Sequence, residues 1–321
     1  MRAVVKAFVV LMTMLSQVAM AQSSDQPIRL VVPYPAGGIA DILARTIATA
    51  LAPAIGQPVI VDNRPGASGI IASNLVRQAK PDGLTLLFTN VGPSAIVPAI
   101  VSPPPYDPTK DFTAISLAAR TPLLLVVNAA TPIKDVAGLI DMAKKSPGKV
   151  TYSSAGMDSV GRVATERFSQ AANIKLLHVP YQGQAPSLLA VVSGEVQMLL
   201  TAPSSSMFEM VKAQKIRLIG VASDRPTPLA PGATPIANTV PGFEAQYWFG
   251  IVGPAKMKEA TVKRLNDGFV KVLAMPSVVS RFATLGSEAA SSSPQQFLSL
   301  INTDAARWSQ VARSANIQMT N

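Results

Sequence analysis

The sequence predicts an α/β fold of two doubly wound lobes joined by a two-strand hinge, and three observations carry that reading. Short runs that are apolar on both faces alternate with stretches of helical spacing, as buried strands and their covering helices do. The alternation runs from Ile28 and starts afresh near Leu123. After the second series the chain returns with one strand-like run and then helices that have no strands of their own to cover. With 48% apolar residues among 321 and a mean hydropathy of +0.31, the chain has material for a large core.

Residues 1–21 read as a signal peptide: Arg2 and Lys6 form a basic start, Ala7 to Leu15 an apolar run, and Ala19-Met20-Ala21 a small-x-small cleavage site. Lys6, Ser16 and Gln17 hold the apolar run well short of the roughly 20 residues a spanning helix needs. The expectation is therefore export beyond the membrane, into the periplasm, by a cleaved leader. The chain has no cysteine, so its stability rests on the core. The net charge of +10 is a thin spread of Lys and Arg with no basic cluster and no interleaved aromatics, which argues against nucleic acid. One histidine, no cysteine and scattered carboxylates argue against a metal site, and no cofactor motif stands out.

Taken in order, the strand Ile28 to Val32 stops at Pro33-Tyr34-Pro35-Ala36-Gly37-Gly38-Ile39-Ala40-Asp41. A glycine pair between a buried strand and a helix start leaves backbone N–H groups at the positive end of the helix dipole, the construction of an anion pocket and equally of an ordinary strand-to-helix loop. Asp41 caps or opens a helix bearing Ile42, Leu43, Ile47, Ala50 and Leu51 that ends near Gly56. The strand Val59 to Val61 leads into a second glycine loop, Asp62 to Gly69, and a helix from Ile70 to Lys80. Pro81-Asp82-Gly83 is a turn, Leu84 to Phe88 a strand, and Ser102 to Pro108 a rigid extended connection. The second series comprises the strand Leu123 to Val127, the helix Lys134 to Lys145, the strand Val150 to Tyr152 and a loop, Ser153 to Ser159, into a helix bearing Val160, Val163, Ala164 and Phe168. A loop from His178 to Gln184 precedes the helix Pro186 to Ser193, closed by Gly194, and Val196 to Leu200, Met207 to Lys212 and Ile216 to Val221 complete the set. Phe243 to Gly253 reads as the returning strand, and the helices Lys256 to Leu273, Ser277 to Leu285 and Pro294 to Arg313 are expected to pack back on the first lobe. The lobes so drawn are 22–123 with 247–321, and 124–246, crossing near Leu123 to Val127 and Tyr247 to Val252 around a cleft at the carboxyl ends of their strands.

Several of these segments carry a likeness. Pro33-Tyr34-Pro35-Ala36-Gly37-Gly38 with Asp41, Asn63-Arg64-Pro65-Gly66-Ala67 with Gly69, Pro81-Asp82-Gly83, Tyr106-Asp107-Pro108 with Lys110-Asp111-Phe112, Ser154-Ala155-Gly156 and His178-Val179-Pro180-Tyr181, in this order, closely resemble the Bug family, the TctC-like solute receptors of tripartite tricarboxylate transport systems. The resemblance implies a type II periplasmic binding protein, not an enzyme, that closes over a small carboxylate and presents it to membrane subunits of such a transporter or, as the alternative, to a sensor kinase. It also implies that backbone amides and ordered water hold the ligand. On this chain the implied contacts fall on Tyr34, Ala36, Gly37, Gly38, Ile39, Asp41, Asn90 and Ser94 of the first lobe. In the second they fall on Ser154, Ala155, Gly156, Asp158, Ser159, Tyr181, Gln182, Gly183 and Thr201. The loops Tyr34 to Ala40, Thr89 to Ala95, Ser153 to Ser159 and Tyr181 to Ala185 contain no Lys or Arg, so an anion held there relies on N–H donors, hydroxyls and helix ends. Tyr34 and Tyr181 are expected to face each other across the cleft.

The chain departs from the family pattern at Pro93-Ser94, where relatives commonly carry a histidine at the second position; at Asp158, where glycine is usual; and at Leu200-Thr201-Ala202, where many have Phe-Asp. Asp158 reads as a helix N-cap or as a cleft residue selecting an amine or hydroxyl beside the ligand carboxylate. The expected ligand is a mono- or dicarboxylate, amino and aromatic acids included. A serine hydrolase is the rival from another class. Gly66-Ala67-Ser68-Gly69 lacks the spacing of a nucleophile elbow, Ser146 to Lys149 matches Ser-x-x-Lys only within a turn, and His178, the single candidate base, reads as a loop-supporting or core residue. Trp248 reads as core within the hinge strand.

Overall fold

The structure, a computed structural model, describes residues 26–156, 159–223, 225–227, 229–314 and 319–320. The expected leader, 1–21, and Asp158 lie outside the described residues. The first series comprises β1 (Ile28–Val32), α1 (Ile39–Ile55), β2 (Val59–Asn63), α2 (Ile70–Arg77), β3 (Thr85–Asn90), α3 (Val97–Ile100), β4 (Val101–Ser102) and β5 (Phe112–Pro122). The second comprises β6 (Leu124–Asn128), α4 (Val136–Lys145), β7 (Thr151–Ser154), α5 (Val160–Ala171), β8 (Leu177–Pro180), α6 (Gln184–Ser193), β9 (Met198–Thr201), α7 (Ser205–Lys212) and β10 (Ile216–Val221). The return comprises β11 (Gln246–Pro254), α8 (Glu259–Leu273), α9 (Pro276–Thr284), β12 (Glu288–Ala289), α10 (Pro294–Ser314) and β13 (Met319–Thr320).

These strands form a six-stranded sheet in the order β12-β5-β11-β3-β1-β2 and a five-stranded sheet in the order β10-β6-β9-β7-β8, with β13 paired to β4 apart from both. Each large sheet holds three parallel strands, β3-β1-β2 and β9-β7-β8. Beside each trio runs an antiparallel strand, β11 or β6, that enters across the hinge from the other half of the chain. The sheets are therefore mixed and not wholly parallel, because each crossing strand arrives from the opposite end. At the hinge, Ala222 N–H donates to Leu123 O at 2.8 Å, Ala245 N–H to Ala222 O at 2.9 Å and Leu123 N–H to Ala245 O at 3.1 Å.

Two of the longer strands escape the sequence pattern, besides the two-residue β4, β12 and β13. β5, eleven residues long, alternates small residues such as Ala114, Ser116 and Ala118 beneath packed helices, so it lacks the bulky apolar signature of β1. β8, read as part of a loop, is an edge strand that contains Pro180, a residue tolerated only where the ladder ends. Helix ends follow local chemistry: Asp135 accepts from Gly138 N–H at 2.7 Å, Ser159 caps α5, and Gly56 and Gly194 close α1 and α6 in the left-handed conformation.

Among the returning helices, α8 and α9 cover the first sheet, with Leu265, Phe269 and Phe282 sharing a core with Leu43, Ile47 and Phe88. The last helix, α10, reaches further than expected. Its Phe297, Ile301, Trp308 and Val311 belong to one continuous core with Val91 of the first lobe and Val160, Val163 and Phe168 of the second. Trp248 is buried there as read, donating from Nε1 to Asp304 Oδ2 at 2.7 Å.

Candidate functional site

The first half of the site is the β1–α1 loop. Residues 36–39 are exposed, and Gly37 sits at φ +83°, a conformation that excludes most side chains. Asp41, 3% exposed in the first turn of α1, holds this loop from below. Its carboxylate accepts from Gly37 N–H at 2.9 Å, from Arg45 Nε at 2.9 Å and from Asn63 Nδ2 at 3.0 Å. Asn63 also donates to Tyr34 O at 3.1 Å and accepts from Arg45 Nη2 at 3.0 Å, so the end of β2 and the helix grip the loop together. Burial pushes the Asp41 carboxyl up, but the donors Arg45, Gly37 and Asn63 outweigh it and hold the group below its usual range. Asp41 is thus a brace that uses one loop amide. The amides of Ile39 and Ala40 have no acceptor within the helix and remain at its positive end.

Asn90 ends β3 and is turned inward: Nδ2 donates to Tyr34 Oη at 2.8 Å, and Oδ1 accepts from Gly92 N–H at 2.8 Å. Ser94 is buried, its hydroxyl paired with Thr89 Oγ1 at 2.7 Å. The second glycine loop is a support. A Cβ on Gly69, at φ +92°, would stand 2.7 Å from Pro93 Cγ and 3.3 Å from Pro33 Cβ, so this backbone packs against the prolines that flank the site.

The second half is built from neutral groups. Tyr152 and Ser154 lie on one face of β7, and the parallel register sets His178 beside Tyr152, the rings 4.9 Å apart. Ser154 Oγ bonds His178 Nε2 at 2.7 Å and donates to Gly156 O at 3.0 Å. Ser159 Oγ donates to the same carbonyl at 2.8 Å while capping α5 through Arg162 N–H. Burial, aided by the nearby Arg162 guanidinium, lowers His178 to about 4, so the imidazole is neutral at pH 7. Tyr181 N–H donates to Ser154 O at 3.0 Å, and its ring packs on the core beneath α6. Tyr34 and Tyr181, expected to confront each other, are each held within their own lobe. Gln182 is exposed, Gly183 caps α6 at φ +114°, Thr201 is buried at the end of β9, and Ala155 and Gly156 are half-buried.

Besides a cavity between the lobes lined by Arg120, Arg225, Glu244 and Glu288, two cavities open at the start of α1. One, of about 280 Å³, lies on the first lobe and is lined by Tyr34, Pro35, Gly38, Ile39, Ala40, Asn90, Tyr247 and Phe249. The other, about 790 Å³, lies between the lobes, with Ile39 and Ile42 of α1 on one side and Gln184, Ala202, Pro203 and Phe208 on the other. Ile39 is a wall of both, and neither lining includes a Lys or Arg. The structure thus joins Tyr34, Gly38, Ile39 and Asn90 around one space, whereas Asp41, Ser94, Ser154 and Ser159 brace loops from behind. Gln184, Ala202, Tyr247 and Phe249 were not foreseen. Gln184 Nε2 is anchored to Ala202 O at 2.7 Å, and the two aromatics reach the site because β11 pairs Phe249 with Asn90, a long-range register with no local signal.

Comparison with known proteins agrees with this geometry. A family model described as tripartite tricarboxylate transporter family receptor matches residues 43–317. The UPF0065 protein in the tcbD-tcbE intergenic region of Pseudomonas sp. (strain P51) is 36% identical over 290 residues, 89% of this chain and 85% of that protein. Among solved structures, R. palustris Rpa4515 with adipate is 32% identical with a TM-score of 0.75, covering 94% of this chain and 100% of that one. MatC (Rpa3494) from Rhodopseudomonas palustris with bound malate is 27% identical with a TM-score of 0.70, covering 89% and 98%. The two-lobed fold, the cation-free cavities at the start of α1 and the match over most of its length together make this chain a member of the tripartite tricarboxylate transporter receptor family, a family of binding proteins and not of enzymes.

Proposed function

We propose that this chain is a periplasmic solute-binding receptor that takes a small carboxylate into the cleft between its lobes and delivers it to the membrane subunits of a tripartite tricarboxylate-type transporter. In this reading the lobes are 22–123 with 247–321, and 124–246, and residues 1–21 are the cleaved leader. The observation that carries it is the first turn of α1, whose exposed loop backbone opens on cavities with no cationic lining. An anion held there relies on N–H donors and the helix dipole, each contributing about 0.5–2 kcal/mol, with water completing the shell. Such a site suits cargo that must be released. The second lobe supplies the facing wall through Gln184, Ala202 and Phe208. The likeness to proteins solved with adipate and with malate supports the ligand class.

The reading is tested by denaturing protein purified from its periplasm, identifying released small molecules by mass spectrometry, and titrating the purified protein with adipate, malate, citrate and benzoate in a calorimeter. A carboxylate that co-purifies and rebinds is the expected result. Absence of binding by every carboxylate to folded protein would sink it.

A further inference from the structure

We propose that the 280 Å³ pocket on the first lobe is the subsite for the body of the ligand, and that it selects a carboxylic acid bearing an aromatic ring over hydroxylated di- and tricarboxylates. This rests on the carboxylate reading above and narrows it. The pocket is walled by the rings of Tyr34, Tyr247 and Phe249 and by Ile39, and its floor is fixed by stacking: Phe249 lies parallel to Phe88 at 5.5 Å, and Tyr247 is tilted against Phe249 at 5.3 Å. Its few polar groups face inward. Tyr34 Oη and the Asn90 amide bond each other, and Asn90 Oδ1 also accepts from Gly92 N–H, so the space is bordered by ring faces.

A hydroxyl placed against those faces would surrender its water without a new partner, a cost that a flat apolar ring does not meet. Volume points the same way. A dry cavity of roughly 150 Å³ accommodates benzene, so 280 Å³ takes one ring with a substituent. Gly38, Ile39 and Ala40, which open α1, are themselves part of the wall. A ring seated against Tyr34 and Tyr247, the half-buried rings of the wall, therefore has its carboxylate within the same enclosure as the amides of the helix start. Nothing cationic or acidic lines the pocket, so selection is by shape and desolvation.

The experiment is calorimetric titration of the mature protein with benzoate, malate and citrate, repeated on Ile39→Ser and Tyr247→Leu, with thermal unfolding to verify that both variants fold. The expected result is benzoate bound at least about tenfold tighter than malate or citrate, with the preference falling to about threefold or less in Ile39→Ser. Tyr247→Leu, which keeps the apolar bulk and loses a ring, is expected to weaken benzoate by a larger factor than it weakens malate. Malate or citrate bound as tightly as benzoate overturns the subsite and leaves the carboxylate reading standing. Benzoate preference that survives both substitutions overturns it as well. No binding by any acid defeats both.

Discussion

The two lobes are wound alike and braced differently. In one, β2-β1-β3 lies beside the crossing strand β11; in the other, β8-β7-β9 lies beside β6. In each, the strand next to the central one supplies the brace for the strand-to-helix loop: Asn63 from β2, His178 from β8. The first brace is ionic, with Asp41 and Arg45 locked through Asn63. The second is neutral, Ser154 with His178 and Ser159 with the Gly156 carbonyl. One backbone design can therefore be stiffened by charge or by neutral hydrogen bonds, and the choice shows in how each loop responds to pH.

The largest effect that tests this contrast is expected from Asp41→Ala. It leaves the Gly37 amide without its carboxylate and takes one bond each from Asn63 and the half-exposed Arg45, which keep Tyr34 O and Asn63 Oδ1, and should lower unfolding free energy by about 2 kcal/mol while weakening carboxylate binding at least tenfold. Denaturant unfolding and calorimetry check both; a loss no greater than that of Ser154→Ala would remove the distinction between the braces.

The next effect separates the lobes along the pH axis. His178 has its folded-state pKa depressed to about 4 from an ordinary 6.5. The unfolded chain thus binds a proton that the native protein refuses, and this stability is present above pH 6.5 and lost as pH falls toward 4, amounting to about 2 kcal/mol once solvent screening of the half-buried ring is allowed for. Asp41, its carboxyl held low, keeps its contribution above the ordinary carboxylate range and loses it only as pH falls further, through its depressed value. The second loop is therefore expected to weaken first on acidification. His178→Gln should flatten the stability profile between pH 6.5 and 4, and because the chain has a single histidine its NMR titration is unambiguous. A midpoint near 6.5 would refute this.

The smallest effect is expected from Ser159→Ala, which removes the α5 cap and the bond to Gly156 O. A loss of about 1 kcal/mol in chemical unfolding is expected, with carboxylate affinity reduced only a few-fold. An unchanged stability would mean that the cap is idle and that His178 with Ser154 carries the second brace.

Much of this was legible in advance. Apolar runs such as Leu123 to Val127 announce strands because burial on both faces favours apolar side chains, and Gly56 and Gly194 mark helix ends through local backbone chemistry, whereas the cap of α5 is Ser159 and not the Asp158 read from the sequence. The loop of residues 34–41 could be picked out for the same reason. What escaped was of two kinds. β5 hides because Ala and Ser suit a strand pressed beneath helices, and β8 because proline disguises an edge. The role of Asp41 was half-seen: its place in the first turn is local, but its partner Asn63, which also donates to Tyr34 O, is not.

Periodicity marks the alternation of strands and helices, and short motifs mark the cation-free loops and carry the family resemblance, since each depends on residues within a helical turn or a strand of one another. Tertiary packing settled the mixed order of the sheets, the span of α10 across both lobes and the aromatic pocket. Tyr34, Asn90, Tyr247 and Phe249 meet there across more than 200 positions because two strands pair side by side, and such pairing is decided by which faces can be buried together.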